Sequence, residues 1–368
     1  MSGVVSDPVA LLEGALKIYS PTGKEARLAS YLASKMKKLG YRKVRTDRAG
    51  NVLGEVGAGG AAVLLCGHMD TVPGMLSVTR RGGKLFGRGA ADAKSALCAL
   101  LVAGSRAPKA NLSVTFAGVT EEEGNSKGIQ AVITSKKRYE YAVFGEPSGA
   151  NRMAVGYRGR FGMRLTIETE GGHAASPWAY VSAFDEFNSI LGALKKFESK
   201  NSAGDDHFRS LSISPTLVES GTYHNVIPRI CKAEFDVRTP PKQKSDQVQR
   251  EIREIIAGSH KVSTQVDVEF DEATEAYEAD PNSTLVRSFQ RAIILKLKDK
   301  PVFVRKTSSG DMNTFAAASG AQCVTYGPAD SKLSHTDGEA VSVQDYLDSI
   351  EVLSEALKQL ERLSSTAQ

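Results

Sequence analysis

Three short apolar runs, each closing on an acid or a histidine, constrain this chain most: "AAVLLCGHMD" (61–70), "LSVTFAGVTEEEG" (112–124) and "YAVFGEP" (141–147). Runs of this length, rich in branched side chains and bounded by Gly and Pro, read as strands buried on both faces. Between the first two lies "DAKSALCALLVAGS" (92–105), whose apolar residues suit a helix. Strands that alternate with helices predict an α/β fold, a mostly parallel sheet with helices on both faces. Such sheets collect ligands beyond the carboxyl ends of their strands, which is where these three runs carry their polar groups.

The flanking segments extend the pattern. "SDPVALLEGALKI" offers Ser6 or Asp7 as N-cap with Pro8 in the first turn, and "GKEARLASYLASKMKKLG" predicts a second helix stopping at Gly40. Around Gly156 the texture changes. "YRGRFGMRLTIETEGGHAASP" alternates as a strand, then come the helix "AFDEFNSILGALKKFE", the strands "LSISPTLVES" and "RICKAEFDVRTP", and the helix "SDQVQREIREIIAG". This predicts an α+β unit over 156–270, inserted into a domain built from 1–155 and 271–368. The chain closes on a helix in which Tyr346, Leu347, Ile350, Leu353, Leu357 and Leu360 should form one buried stripe.

Composition removes several function classes. With 47 basic and 42 acidic residues in 368, the net charge of +5 is too mild for a nucleic-acid binder. No apolar stretch approaches the ~18 residues of a membrane span, and the N-terminus lacks the pattern of a signal peptide. The four cysteines are widely spaced, which argues against a disulfide framework and fits a reducing cytoplasm.

The polar residues at the strand ends have the types a divalent metal of intermediate hardness requires. His68, Asp92, Glu121 to Glu123, Glu146 and His335 all sit in Gly- or Pro-punctuated loops, in a chain with six histidines. Singly, a strand-end histidine is usually a satisfied, half-buried group and "EEE" a solvated face; jointly they predict a metal site. Two imidazoles and three carboxylates exceed one tetrahedral zinc but suit two ions if one carboxylate, expected to be Asp92, bridges them. One of the consecutive glutamates is then free to act as general base toward a water acidified by the cations. Asp70, two residues after His68, is placed to take the second ring N–H of that imidazole and fix its orientation.

The segments "GHMDTVP", "GRGAADAKSA", "TEEEG", "FGEPSG", "GGHAASP", "NVIPR" and "SHTDGE" resemble, in order and over nearly the whole chain, the dinuclear zinc amidohydrolase and exopeptidase family. That family includes acetylornithine deacetylase, succinyl-diaminopimelate desuccinylase and carboxypeptidase G2. The resemblance implies His68, Asp92, Glu123, Glu146 and His335 as ligands of two divalent ions, zinc first and cobalt as the alternative. It implies Glu122 as general base, Asp70 as the partner of His68, and Glu121 as an acidic non-ligand. It also implies that the inserted unit is a lid that mediates homodimerisation, with His173 reaching the partner subunit's active site to hold the scissile carbonyl. Asn225, Arg238 and Gly310 match substrate-contact positions. Ala93 and Ser95 depart from the Met and Gly common in relatives.

Within that family the texture is most similar to the hydrolases that release lysine or ornithine from the C-terminal glutamate of an acidic amino-group carrier protein, in lysine and arginine biosynthesis. Arg152, Arg158, Arg160 and Arg164, without an acid among them, then suggest a basic rim that steers the carrier. The alternatives are a deacylase of small N-acyl amino acids, a metallo-exopeptidase and, in another class, a non-catalytic dimeric binding module.

Overall fold

The computed structural model describes residues 7–135 and 137–365, which divide into two compact units. The first comprises residues up to Gly156, Ala279–Arg305 and the chain from Gly310; the second comprises Tyr157–Glu278 and Lys306–Ser309.

The centre of the first unit is a mixed sheet. Four parallel strands lie side by side in the order Leu112–Val119, Ala61–His68, Tyr141–Gly145 and Gln322–Thr325. Antiparallel strands flank them, with Val52–Val56 and Arg42–Thr46 on one side and Arg152–Tyr157 on the other. The helix Lys94–Ser105 is buried from Lys94 through Gly104, as a helix apolar all round must be. On one face of the sheet it packs so closely that a side chain at Gly67 would meet Leu97, and one at Gly145 would meet Leu100 and Ala96. On the other face Phe144 meets Phe315 of the helix Asp311–Ser319, with ring centroids 5.7 Å apart. Helices therefore cover both faces, the layering the alternating elements predict.

The first helix spans Pro8–Leu16, capped by the Asp7 side chain, which accepts from Val9 N at 2.9 Å. Ser6, the other candidate cap, lies outside the described residues. The C-terminal helix, Val343–Ser365, buries Tyr346, Ile350, Leu353, Leu357 and Leu360, whereas Leu347 is only half-buried and Val352 is fully buried. The apolar face is thus rotated slightly past Leu347. The short strands Thr79–Arg81, Lys84–Phe86 and Ala340–Ser342 form a small antiparallel sheet, with Ala340 opposite Phe86.

The second unit is a four-stranded antiparallel sheet in the order Ser212–Ser220, Ile230–Thr239, Gly159–Glu168, Gln265–Phe270. Buried and exposed residues alternate along Gly159–Glu168 and Ile230–Thr239, so each presents one face to a core shared with the helices Ala183–Lys200 and Ser245–Ala257. Phe161, Met163, Leu165, Ile190, Phe235 and Ile252 form the centre of that core.

All four cysteines are buried, and none forms a disulfide. Among the described residues no helix is long and apolar enough to cross a membrane.

Candidate active site

Strand register builds the site. His68 ends its strand opposite Val119, and Gly67 lies opposite Gly145. Because the three strands are parallel and stop at the same level, the residues just beyond them, Glu121 to Glu123 and Glu146, emerge beside His68. Asp92 arrives from the loop that leads into the helix Lys94–Ser105, and His335 from the loop before the strand Ala340–Ser342.

The Asp92 carboxylate sits between the two imidazoles. Its Oδ1 is 3.2 Å from His68 Nε2 and its Oδ2 is 3.5 Å from His335 Nε2. Glu146 Oε1 approaches His68 Nε2 at 3.6 Å, and Glu123 Oε1 approaches His335 Nε2 at 2.8 Å. Two groups of ligand-type atoms result, each within 4.8 Å of one another: His68, Glu122 and Glu146, and then Asp92, Glu123 and His335. A set of two imidazoles and several carboxylates, with one carboxylate facing both imidazoles, fits two divalent ions of the zinc or cobalt type.

Asp70 serves more of this edge than its own neighbour. His68 Nδ1 bonds the main-chain carbonyl of Asp70 at 2.9 Å, while the Asp70 carboxylate stands 3.5 Å from the same nitrogen. That carboxylate instead accepts from Glu122 N and Glu123 N, both at 3.1 Å, and from Thr22 Oγ1 at 2.9 Å. The carboxylate is fully buried and fixes the backbone of the glutamate loop, while the Asp70 carbonyl sets the tautomer of His68. Glu121 adopts a left-handed conformation, φ 59°, and its side chain lies 3.5 Å from Lys127 rather than joining the ligand groups. His335 is likewise left-handed, at φ 63°, a conformation uncommon outside glycine.

The electrostatics follow from burial and crowding. Burial, and then the like charges of Glu123, Asp92 and Asp70, push the Glu122 carboxyl up to about 7 against the pull of His68. Burial alone would lower His68, yet the hydrogen bonds to Asp70 and Asp92 and the charges of Glu146 and Glu122 hold it well above the usual imidazole range. Asp311, buried at the start of its helix, is raised by burial and by the charge of Glu122. Gly310, just before it, would place a Cβ 3.3 Å from Glu122 Oε1. Lys94 is almost wholly buried and donates to the carbonyls of Ala15 at 3.3 Å and Ile18 at 2.6 Å, and burial pulls it down to about 8.

The remaining candidate residues, His173, Asn225 and Arg238, belong to the second unit. His173 pairs with Val226 in a two-residue ladder, and Ala174 N donates to Asn225 O at 3.0 Å, so these two are neighbours. His173 Nδ1 accepts from Ala175 N at 3.0 Å, which leaves the proton of a neutral ring on Nε2. Arg238 binds the Asp236 carboxylate through both Nε and Nη2, at 2.5 and 3.2 Å.

Three of the four arginines expected to form a basic rim are engaged by other residues of the second unit. Arg158 is buried and donates to Ser210 O, Ser212 Oγ and Arg238 O; Arg160 pairs with Asp236 at 2.7 Å; and Arg164 reaches Glu269 and Asp271. The acids that neutralise Arg160 and Arg164 come from residues distant in sequence, invisible in the stretch itself. Sequence reasoning also passed over Glu339 and Arg88, although both stand inside the segments "SHTDGE" and "GRGAADAKSA".

Comparison with known proteins agrees with this architecture. The profile of peptidase family M20/M25/M40 matches residues 64–359. A protein of Pyrococcus abyssi, provisionally named a LysW-lysine/LysW-ornithine hydrolase, is 35% identical over 96% of this chain and 94% of its own. The LysW-lysine/LysW-ornithine hydrolase of Sulfurisphaera tokodaii is 31% identical over 95% and 94%. The aminopeptidase PepT of Bacillus cereus superimposes with a TM-score of 0.82 at 19% identity, over 96% of this chain and 98% of that one. The matched family includes dinuclear metal-binding peptidases. The chain belongs to peptidase family M20/M25/M40 and is a hydrolase of amide or peptide bonds.

Proposed function

We propose that this enzyme hydrolyses the amide joining lysine or ornithine to a LysW carrier protein, using two divalent ions, zinc or else cobalt. The observation that carries the metal chemistry is Asp92, whose two oxygens face the imidazoles of His68 and His335 at 3.2 and 3.5 Å. The substrate is supported by similarity over nearly the full length to hydrolases named for LysW-lysine and LysW-ornithine.

In this reading His68 and Glu146 would hold one ion and Glu123 and His335 the other, with Asp92 available to both. When bound, the ions supply Lewis acidity to the amide carbonyl and to water. Glu122, left over from both sets, takes the proton of the attacking water and returns it to the departing amine. Its raised affinity for a proton in the metal-free protein reflects burial in the same crowd of carboxylates. His173 presents Nε2–H, a donor suited to the oxyanion that forms as water adds. Asn225, Arg238 and Gly310 would contact substrate. The direct test is hydrolysis of purified carrier-lysine and carrier-ornithine conjugates, beside acetylornithine and succinyl-diaminopimelate, read by intact mass. Release from the carrier conjugates is expected to dominate; turnover confined to the small acyl amino acids would replace this reading by the deacylase one.

We further propose that the second unit is the lid and dimerisation domain, and that the protein works in the cytoplasm, where its four buried thiols stay reduced. Support for the dimer comes from the sheet edge Ser212–Ser220, which exposes Leu217 and Val218 and is followed by exposed Tyr223, Val226 and Ile230. A bare apolar edge strand is a surface that chains normally cover. Sedimentation at micromolar concentration should give twice the 39.4 kDa chain mass, and Leu217→Lys with Val218→Lys should return it to one chain. A wild-type protein sedimenting as a single chain would remove the dimer.

A further inference from the structure

We propose that Glu339 is the positioning residue of the metal centre, the group that sets the Asp92 loop and couples it to the His335 loop. The inference rests on the dinuclear reading above, because its subject is the placement of two residues assigned there as ligands. A single oxygen of Glu339, Oε1, accepts three main-chain N–H groups: Gly89 at 2.9 Å, Ala91 at 3.0 Å and Asp92 at 2.9 Å. The other oxygen accepts from Arg88 Nη1 at 2.9 Å, and the main-chain carbonyl of Glu339 accepts from Gly87 N at 3.2 Å. Five donors within residues 87–92 therefore end on one residue that is 1% exposed.

Three N–H groups aimed at one point form a concave anion-binding nest, here filled by the chain's own carboxylate. The arrangement fixes Asp92 from its backbone side, leaving both of its side-chain oxygens free to face His68 and His335. It also acts on His335. Arg88 Nη1 donates to Thr336 O at 3.0 Å and Nε to Gly74 O at 3.0 Å, and the strands Lys84–Phe86 and Ala340–Ser342 pair in register just behind. The Asp92 and His335 loops are thereby one body, closed by Glu339 and Arg88. A negative charge is tolerable so close to Asp92, Glu122, Glu123 and Glu146 because the buried Arg88 guanidinium neutralises it.

Glu339→Gln retains an oxygen for the three N–H groups but puts an amide donor against Arg88, so it loosens the nest without emptying it. Arg88→Met removes the counter-charge and leaves the nest carboxylate in place. Calorimetric titration of Co²⁺ into the metal-free full-length protein resolves two binding steps, and His335→Ala marks which step fills the Asp92, Glu123 and His335 group. In both Glu339→Gln and Arg88→Met that step should weaken by roughly tenfold to a hundredfold, the range typical of groups that orient ligands. The other step, which shares Asp92 but draws on His68 and Glu146 as well, should weaken by a smaller factor, and excess Co²⁺ should restore most of kcat with KM unchanged. A merely structural role would lower the melting temperature and leave the stepwise affinities alone, which would overturn the proposal. If the wild-type protein itself takes up fewer than two ions, the dinuclear reading fails instead, and the two failures are told apart by that control.

Discussion

Glu122→Gln should bind both ions as tightly as the wild type and lose roughly a hundredfold to ten-thousandfold in kcat, the contribution of a positioned general base. The substitution keeps size and shape, and the amide cannot accept the proton of the attacking water. Retention of the ions is what the proposed assignment requires, in which His68, Asp92, Glu123, Glu146 and His335 would hold both without it. The check combines metal analysis of the purified variant with steady-state kinetics. Wild-type turnover would remove Glu122 from the proton transfer. Loss of one ion would make it a ligand, a role its proximity to His68 and Glu146 would then explain.

Removing the ions should abolish activity altogether and lower the stability of the first unit. The side chains gathered there are four carboxylates and two imidazoles, and without cations burial first, and then the like charges of neighbouring carboxylates, raise Glu122 and Glu123. An ion that binds only the folded chain contributes about 2.7 kcal/mol at a free concentration of ~100 times its Kd. Dialysis against a chelator should therefore lower the melting temperature by several degrees, and Zn²⁺ or Co²⁺ should restore both stability and turnover at two ions per chain. Full activity in protein shown by elemental analysis to be metal-free would end the metallohydrolase reading.

Much of the architecture is legible in the sequence because it is local. Alternation over Gly159–Glu168, the uniformly apolar helix Lys94–Ser105 and the Asp7–Pro8 helix start are written in adjacent residues. The strand-end positions of His68, the glutamates and Glu146 follow from the same runs, since parallel strands that stop together must share an edge. What escaped was non-local. Arg158, Arg160 and Arg164 look like a free basic rim until Ser210, Asp236 and Asp271 are folded alongside. Asp70 sits two residues from His68, yet its carboxylate is spent on the backbone of Glu122 and Glu123, while its main-chain carbonyl takes the imidazole. Glu339 escaped for the same reason, because its partners are backbone N–H groups, which leave no trace in side-chain identity.

The span between Asp92 and Glu339, 247 residues, also sets a timetable for the nascent chain. At about 5–20 residues per second on the ribosome, the loop of Asp92 waits roughly 10–50 s before its nest is filled. For most of that interval the strands bearing His68 and the glutamates are already made, so the acidic edge exists before the segment that closes it. Ion capture in its final geometry is thus an event of the last stage of synthesis, and a chain released before Glu339 emerges carries the acids of the site without the means to arrange them.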